Sequence, residues 1–195
     1  MSHYFINDNN LKDKKRIIRA TLLNQEFSFY TNEGVFSKDK VDYGTKLLLN
    51  NIDIKNIKGN VLDLGCGIGI IGIVISKTNN ILVDMVDINE RALSLAKENC
   101  HLNKVTNEVF VSDVYQNITK KYNFIITNPP IRAGKKVLEQ ILLGSKEYLE
   151  KEGILYFVMR KDHGVKSMIK KLEELFKVNI KTKDKGFYIV ECILQ

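Results

Sequence analysis

The chain has few cysteines and no apolar segment long enough to cross a membrane. Its three cysteines, Cys66, Cys100 and Cys192, are far apart and show neither Cys-x-x-Cys spacing nor a neighbouring histidine cluster. This pattern argues against a zinc site and a disulfide framework, so we expect no metal and a cytoplasmic location. The apolar run at 70–75 is far shorter than the roughly 20 residues that span a bilayer. The N-terminus is polar and then basic, without the apolar stretch of a signal peptide.

Acidic residues are outnumbered by basic ones. The 195 residues include 30 Lys and Arg against 23 Asp and Glu, a formal net charge of +7. This excess favours a polyanionic partner such as a nucleic acid, although an ordinary basic surface is the alternative. The hydrophobic content of 44% suffices for one real core. The sequence leaves the oligomeric state open and is compatible with a monomer.

Strands and helices alternate along most of the chain, which predicts an α/β fold with a mostly parallel, seven-stranded Rossmann-like sheet. An N-terminal β-hairpin is expected before it, and consecutive strands at 178–182 and 186–194 predict an antiparallel hairpin at the end. One apolar stripe predicts the helix before that hairpin, with members Val165, Met168, Ile169, Leu172, Leu175 and Phe176. We expect residues 1–52 to form an extension packed on a main domain of residues 53–195.

A glycine-rich turn follows the first strand of this domain, in the segment Asp63-Leu64-Gly65-Cys66-Gly67-Ile68-Gly69. Glycines there allow a tight turn and a close approach of the backbone to a ligand. The helix after the turn points its N-terminus at that ligand. The same segment, extended to Gly72, also satisfies the G-x-G-x-x-G dinucleotide pattern, so the turn alone does not separate NAD from S-adenosylmethionine.

Carboxylates end the next two strands. Asp87 lies 20 positions after Gly67 and could accept hydrogen bonds from a ribose, which both cofactors contain. Asp113 could accept from an adenine amino group. Helix capping and a simple strand-end turn, respectively, are the alternatives for these two residues. Asp63 lies within the first strand and is expected to hold the turn or to contact the amino end of the ligand.

The only two prolines of the chain follow an asparagine at the end of an apolar strand, as Asn128-Pro129-Pro130. Proline fixes its own backbone and drives the preceding residue to an extended conformation, so this corner is rigid. It offers the Asn128 side chain and the Pro129 carbonyl as acceptors. Two acceptors could grip the hydrogens of a nucleobase amino group and turn its lone pair toward a methyl donor. A strand-terminating turn is the structural alternative.

The segment from Val61 to Gly69, together with Asp87, Asp113 and the Asn-Pro-Pro corner, resembles the motifs of class I S-adenosylmethionine-dependent methyltransferases. Segments 34–37, 42–49 and 128–135 resemble the small-domain methyltransferases more narrowly, a group that includes the 16S ribosomal RNA guanine-N2 methyltransferases. The resemblance covers residues 15–195, and among the two-lobed members it is to the catalytic half alone. It departs at Ile131, where many amino methyltransferases carry an aromatic residue that stacks on the base.

This resemblance implies an enzyme that uses S-adenosylmethionine to methylate guanine N2 in ribosomal RNA or the small ribosomal subunit. The implied cofactor-binding residues are Phe36, Ser37, Asp63, Gly65, Cys66, Gly67, Asp87, Ile88, Asp113, Val114 and Asn128. The implied catalytic residues are Asn128, Pro129 and Pro130. Next to the corner, Arg132, Lys135 and Lys136 are candidates for contacts with RNA phosphates.

Rival functions remain open at this point. An NAD-dependent oxidoreductase fits the glycine turn, although no tyrosine is followed four residues later by lysine, as in one large group of dehydrogenases. Protein glutamine and DNA adenine methyltransferases also use Asn-Pro-Pro corners, usually followed by an aromatic residue. A noncatalytic RNA-binding protein on the same fold is the third alternative.

Overall fold

The computed structural model describes residues 15–33, 35, 39–130 and 134–195. Within these residues the strands are β1 (Arg16–Leu22), β2 (Gln25–Thr31), β3 (Val61–Leu64), β4 (Asp84–Asp87), β5 (Glu108–Val111), β6 (Tyr122–Thr127), β7 (Leu149–Arg160), β8 (Phe176–Asp184) and β9 (Phe187–Leu194). The α-helices are α1 (Tyr43–Asn51), α2 (Ile70–Asn79), α3 (Glu90–Asn103), α4 (Lys135–Tyr148) and α5 (Val165–Leu172).

Seven of these strands form one sheet in the order β5-β4-β3-β6-β7-β9-β8. The first five strands in this spatial order, β5, β4, β3, β6 and β7, are parallel, whereas β9 runs antiparallel to both β7 and β8. The predicted mostly parallel, seven-stranded sheet that ends in an antiparallel hairpin is confirmed. The strand order reverses between β3 and β6, and in open α/β sheets ligands bind beside such a reversal, at the carboxyl ends of the strands.

The N-terminal hairpin pairs β1 with β2 as a separate two-stranded sheet. Its turn lies at Leu23 and Asn24, both with positive φ. The hairpin is fixed to α3 by two asparagines. Asn99 accepts a hydrogen bond from the Tyr30 amide at 2.6 Å, and Asn103 donates to the Ser28 carbonyl at 2.7 Å.

The helix before the final hairpin is shorter than predicted. It ends at Leu172, and the amide of Leu175 donates to the Leu172 carbonyl in a tighter turn. Leu175 and Phe176, which the apolar stripe assigned to this helix, therefore lie outside it, and Phe176 begins β8. The buried Phe176 packs in the same apolar cluster as the helix, so burial produced the same spacing without helical geometry.

Apolar side chains fill both faces of the sheet. One cluster joins the sheet to the hairpin, α1, α2 and α3, and a second joins it to α4 and α5. Because the first cluster contains residues from both sides of position 52, the division into an extension and a main domain stays a prediction. No helix in the described ranges is long and apolar enough to cross a membrane.

Candidate functional site

The glycine turn is held against the end of β4. The amides of Gly65 and Cys66 both donate to the Val86 carbonyl, at 2.8 and 2.9 Å. Gly65 and Gly67 have φ values of +71° and +56°. Residues other than glycine rarely adopt these positive φ values, so the path of the turn depends on glycine.

Asp87 fixes this turn through its carboxylate. Oδ2 accepts from the Gly67 amide at 2.8 Å, and Oδ1 accepts from the Asn89 amide at 2.9 Å. Burial raises the pKa of Asp87, while the same amides oppose that rise. Each oxygen retains a second lone pair, so the expected contact with a ribose stays a prediction. Capping of the next helix falls to Asn89, which accepts from the Ala92 amide at 3.1 Å.

Asp63 is buried beneath the turn. Its Oδ2 accepts from the Gly72 amide at 2.8 Å, at the start of α2. Its Oδ1 is also buried and has no hydrogen-bond partner in the described part of the chain. Burial raises the pKa of Asp63 to about 7, with a further contribution from the negative charge of Asp87.

The Asn-Pro-Pro corner lies directly beside the glycine turn. The hydroxyl of Thr127 donates to the Leu64 carbonyl at 2.7 Å, which joins the carboxyl ends of β6 and β3. A Cβ atom added to Gly65 would lie 3.9 Å from Cδ of Pro130. The two motifs that the sequence singled out are therefore neighbours at the edge of the sheet where ligands bind.

The orientation of the Asn128 side chain is fixed by the start of α1. Its Nδ2 donates to Oδ1 of Asp42 at 3.2 Å and to Oγ1 of Thr45 at 3.0 Å. Oδ1 of Asp42 also accepts from the Thr45 amide, so it acts as an acceptor here and the nitrogen of the Asn128 amide is the group that faces it. Both amide hydrogens are then used, and the Asn128 side-chain oxygen is the group left to accept from a ligand.

Sequence reasoning gave Asp42 and Thr45 no role in the site. Their local signal was visible, because Asp42 caps α1 by accepting from the Thr45 amide at 3.0 Å. That pattern predicts a helix start and nothing more. The contact with Asn128 spans 86 residues of sequence for Asp42 and 83 for Thr45, and no local pattern reports it.

The other predicted site residues are distributed around this edge. Ile88 is 42% exposed beside Asp87, Asp113 is exposed, and Val114 is partly buried. Cys66 is buried, and burial together with the charges of Asp63 and Asp87 raises the pKa of its thiol, which therefore stays protonated at neutral pH.

The predicted RNA contacts are described in part. Lys135 and Lys136 are exposed in the first turn of α4. Phe36, Ser37 and Arg132 lie outside the described residues. Among the residues that the structure describes, no group of three or more His, Cys, Asp or Glu side chains could hold a metal ion.

A family model and a named relative of this chain both carry methyltransferase descriptions. A family model described as "Methyltransferase small domain" matches residues 26–191. A Bacillus subtilis protein, "Uncharacterized protein YbxB", is 41% identical over 195 residues, covering 97% of each chain. The ribosomal RNA small subunit methyltransferase C of Haemophilus influenzae is 41% identical over 139 residues, which are 69% of this chain and 42% of that protein.

A solved structure shares the fold. It is the Thermus thermophilus 16S rRNA N2 G1207 methyltransferase (RsmC) in complex with AdoMet and guanosine, with a TM-score of 0.84 and 22% identity. The match covers 93% of this chain and 51% of that one. The chain thus spans about half the length of the ribosomal RNA methyltransferases that it matches.

Proposed function

Because the chain belongs to the methyltransferase small domain family, we propose that it transfers a methyl group from S-adenosylmethionine to an exocyclic amino group of a nucleobase. Within that class we propose guanine N2 in 16S ribosomal RNA as the target. One observation carries the proposal: the Asn128 amide is oriented with its oxygen available, beside the glycine turn. Two proteins named as methyltransferases of small-subunit ribosomal RNA support it, with matches that cover 69% and 93% of this chain.

The residues at the turn fit the proposed methyl donor. The buried Oδ1 of Asp63 lacks a hydrogen-bond partner within the described residues. The amino group of S-adenosylmethionine is a suitable partner for it. Because Gly65 and Gly67 have no side chain, a ligand can approach the main chain of the turn closely. Ile88 offers exposed apolar surface for a flat ring, next to the second acceptor positions of Asp87.

The chemistry rests on positioning. When bound, S-adenosylmethionine supplies an electrophilic methyl group on a sulfonium. An exocyclic amino nitrogen is a weak nucleophile because its lone pair is delocalised into the ring. The Asn128 oxygen and the Pro129 carbonyl accept the two amino hydrogens and orient that lone pair out of conjugation. Neither oxygen is a strong base, so the residues act through geometry and electrostatics. The neutral thioether of the methyl donor would be the leaving group, and the surplus proton on the methylated nitrogen would pass to water after the transfer.

A polyanionic substrate agrees with the charge of the chain. Lys135 and Lys136 are exposed at the start of α4, shortly after the corner, where they can contact phosphates on either side of the target base. We propose ribosomal RNA or the small ribosomal subunit as the partner. Such a substrate places the protein in the cytoplasm, which suits three buried free cysteines.

The experiment combines binding with transfer. Calorimetric titration should show binding of S-adenosylmethionine and no binding of NAD, and a labelled methyl group should appear in RNA when total RNA or small subunits are supplied. Asn128→Ala should keep its affinity for the donor and lose turnover by about a hundredfold. Asn50→Ala, on the exposed face of α1, is the matched control and should behave like the parent protein.

Each rival function gives a distinct result. Label in protein or DNA instead of RNA would replace the substrate class, and binding of NAD alone would replace the reaction. Full turnover by Asn128→Ala would remove the proposed role of the corner. Absence of transfer to any substrate by a protein that binds RNA would favour the noncatalytic alternative.

A further inference from the structure

Four side chains beside the corner form a row in which two neighbouring aromatic rings are flanked by a cation at each end. The guanidinium carbon of Arg160 lies 5.3 Å from the centre of the Phe187 ring, and that ring lies 5.5 Å from the ring of Tyr43. The amine of Lys185 lies 4.9 Å from the centre of the Tyr43 ring. We call this set, Arg160, Phe187, Tyr43 and Lys185, the aromatic–basic ridge.

The ridge is built where α1 meets the final hairpin. Lys185 and Gly186 form the turn between β8 and β9, both with positive φ. A Cβ atom added to Gly44 would lie 3.2 Å from the Phe187 ring, so the lack of a side chain there brings α1 and the ring together. The Tyr43 hydroxyl donates to the carboxylate of Asp184, which fixes the ring against the hairpin.

The ridge lies at the same edge of the sheet as the candidate active site. Strand β7 runs parallel to β6, with Phe157 opposite Thr127, and it continues three residues further to Arg160. Phe187 then pairs with Arg160 at the start of β9. On the other side, Tyr43 follows Asp42, the residue that accepts a hydrogen bond from Asn128. The ridge therefore adjoins the Asn-Pro-Pro corner.

Cations outnumber carboxylates in this region. Residues 160–163 and 183–186 contain four Lys or Arg and two Asp. Both carboxylates are engaged, since Asp162 accepts from Arg160 at 3.0 Å and Asp184 accepts from Tyr43. Tyr43 is 37% exposed, whereas Phe187 is partly buried, so Tyr43 is the more accessible of the two rings.

We propose that the aromatic–basic ridge binds single-stranded RNA next to the target nucleotide, with Arg160 and Lys185 on phosphates and the Tyr43 ring against a flanking base. Rings interleaved with cations are the chemistry by which proteins hold unpaired nucleic acid. The ridge would also supply the stacking surface that Ile131 lacks at the corner. This inference rests on the proposed function for the identity of the target, but RNA binding can be measured without turnover.

The test measures RNA binding directly. Fluorescence anisotropy is recorded with a labelled single-stranded RNA about 12 nucleotides long, at salt concentrations from about 50 to 200 mM. Arg160→Ala with Lys185→Ala should weaken binding about tenfold and lower the salt slope by about 1.4, the value for two contacts to a single strand. The control, Lys55→Ala with Lys58→Ala, removes the same charge just before β3, at the amino edge of the sheet, and should keep the parent slope.

A second pair of variants isolates the ring. Tyr43→Leu should weaken RNA binding about fivefold or more, whereas Tyr43→Phe keeps the ring and should stay within about twofold of the parent. Melting temperature and donor affinity are measured for each variant, and both should match those of the parent.

The outcomes separate this proposal from the proposed function. Unchanged RNA affinity and salt slope in the ridge variants, or equal loss in the Lys55 and Lys58 control, would overturn the ridge. The same holds if the parent protein binds double-stranded RNA or an acidic protein but no single-stranded RNA. Loss of RNA binding that is confined to the ridge variants supports the ridge even if no methyl transfer is found. The absence of methyl transfer would count against the proposed function alone.

Discussion

The side-chain nitrogen of Asn128 lies 3.2 Å from Oδ1 of Asp42, across 86 residues of sequence. The same Asp42 oxygen caps helix α1 by accepting from the Thr45 amide at 3.0 Å. One oxygen atom therefore defines both where α1 begins and how the Asn128 amide is turned. Because a planar amide that donates on one side presents its oxygen on the other, Asp42 acts as a positioning residue for Asn128.

The first prediction separates these two duties of Asp42. Asp42→Ser retains an oxygen that can cap the helix but is too short to reach Asn128. We expect turnover to fall about tenfold to a hundredfold, because small displacements of a positioning group are costly, while the donor affinity stays within about twofold. Steady-state kinetics on RNA and calorimetry of donor binding measure the two quantities.

Asp42→Asn is the matched control, since its side-chain oxygen can both cap α1 and accept from Asn128. Its turnover should stay within about threefold of the parent. If Asp42→Ser were as active as Asp42→Asn, Asn128 would not depend on Asp42 for its orientation.

The second prediction concerns pH and the buried Asp63. Its pKa is raised to about 7 in the folded protein, from an ordinary value of 3.8, first of all by burial. The folded state thus binds the proton more tightly than the unfolded chain. The resulting stabilisation is complete below pH 4 and is lost as the pH rises to 7.

Asp63→Asn removes this ionisation and keeps an acceptor for the Gly72 amide. We expect the variant to gain about 4 kcal/mol in the free energy of unfolding over the parent at pH 8, because each unit of the Asp63 pKa shift is worth about 1.4 kcal/mol, and almost no gain at pH 4. Urea unfolding at both values measures it. Glu174→Gln, at an exposed position, is the control and should show no such change with pH. A gain of equal size at both values would exclude ionisation of Asp63 as the cause.

Sequence reasoning located those parts of the site that lie next to each other along the chain. Gly65 and Gly67 follow a buried strand, and Asn128 ends another, so strand ends and parallel order place them at one edge. The contact of Asp42 with Asn128 was not accessible, because it depends on how α1 packs against the sheet. The shorter α5 has a related cause. Phe176 is buried but belongs to strand β8, and burial alone does not distinguish a strand residue from a helix residue.

The third prediction tests the packing of α2 on the sheet. A Cβ atom added to Gly72 would lie 2.6 Å from Cγ and Sδ of the buried Met85. Gly72→Ala should therefore destabilise the protein by about 2 kcal/mol, against the usual gain from replacing glycine in a helix. Gly144→Ala in α4 is the matched control, because its Cβ meets nothing closer than the Tyr115 ring at 3.5 Å.

Gly144→Ala should stabilise the protein by about 0.5 kcal/mol. Chemical denaturation of both variants gives the comparison. Equal effects of the two substitutions would mean that Met85 yields easily and that close approach at Gly72 is not required.

The fourth prediction concerns the hydroxyl of Thr127, which donates to the Leu64 carbonyl at 2.7 Å and is fully buried. Leu64 precedes the glycine turn and Thr127 precedes Asn128, so this bond couples both halves of the site. Thr127→Val removes the hydroxyl that makes this hydrogen bond, at nearly constant volume, and should lower the free energy of unfolding by about 1 kcal/mol. It should weaken donor binding and lower turnover together, unlike Asp42→Ser, which affects turnover alone. Thr127→Ser keeps the hydroxyl, so calorimetry should show the affinity of the parent protein for S-adenosylmethionine. If Thr127→Ser is as impaired as Thr127→Val, the lost methyl group and not the hydrogen bond is the cause.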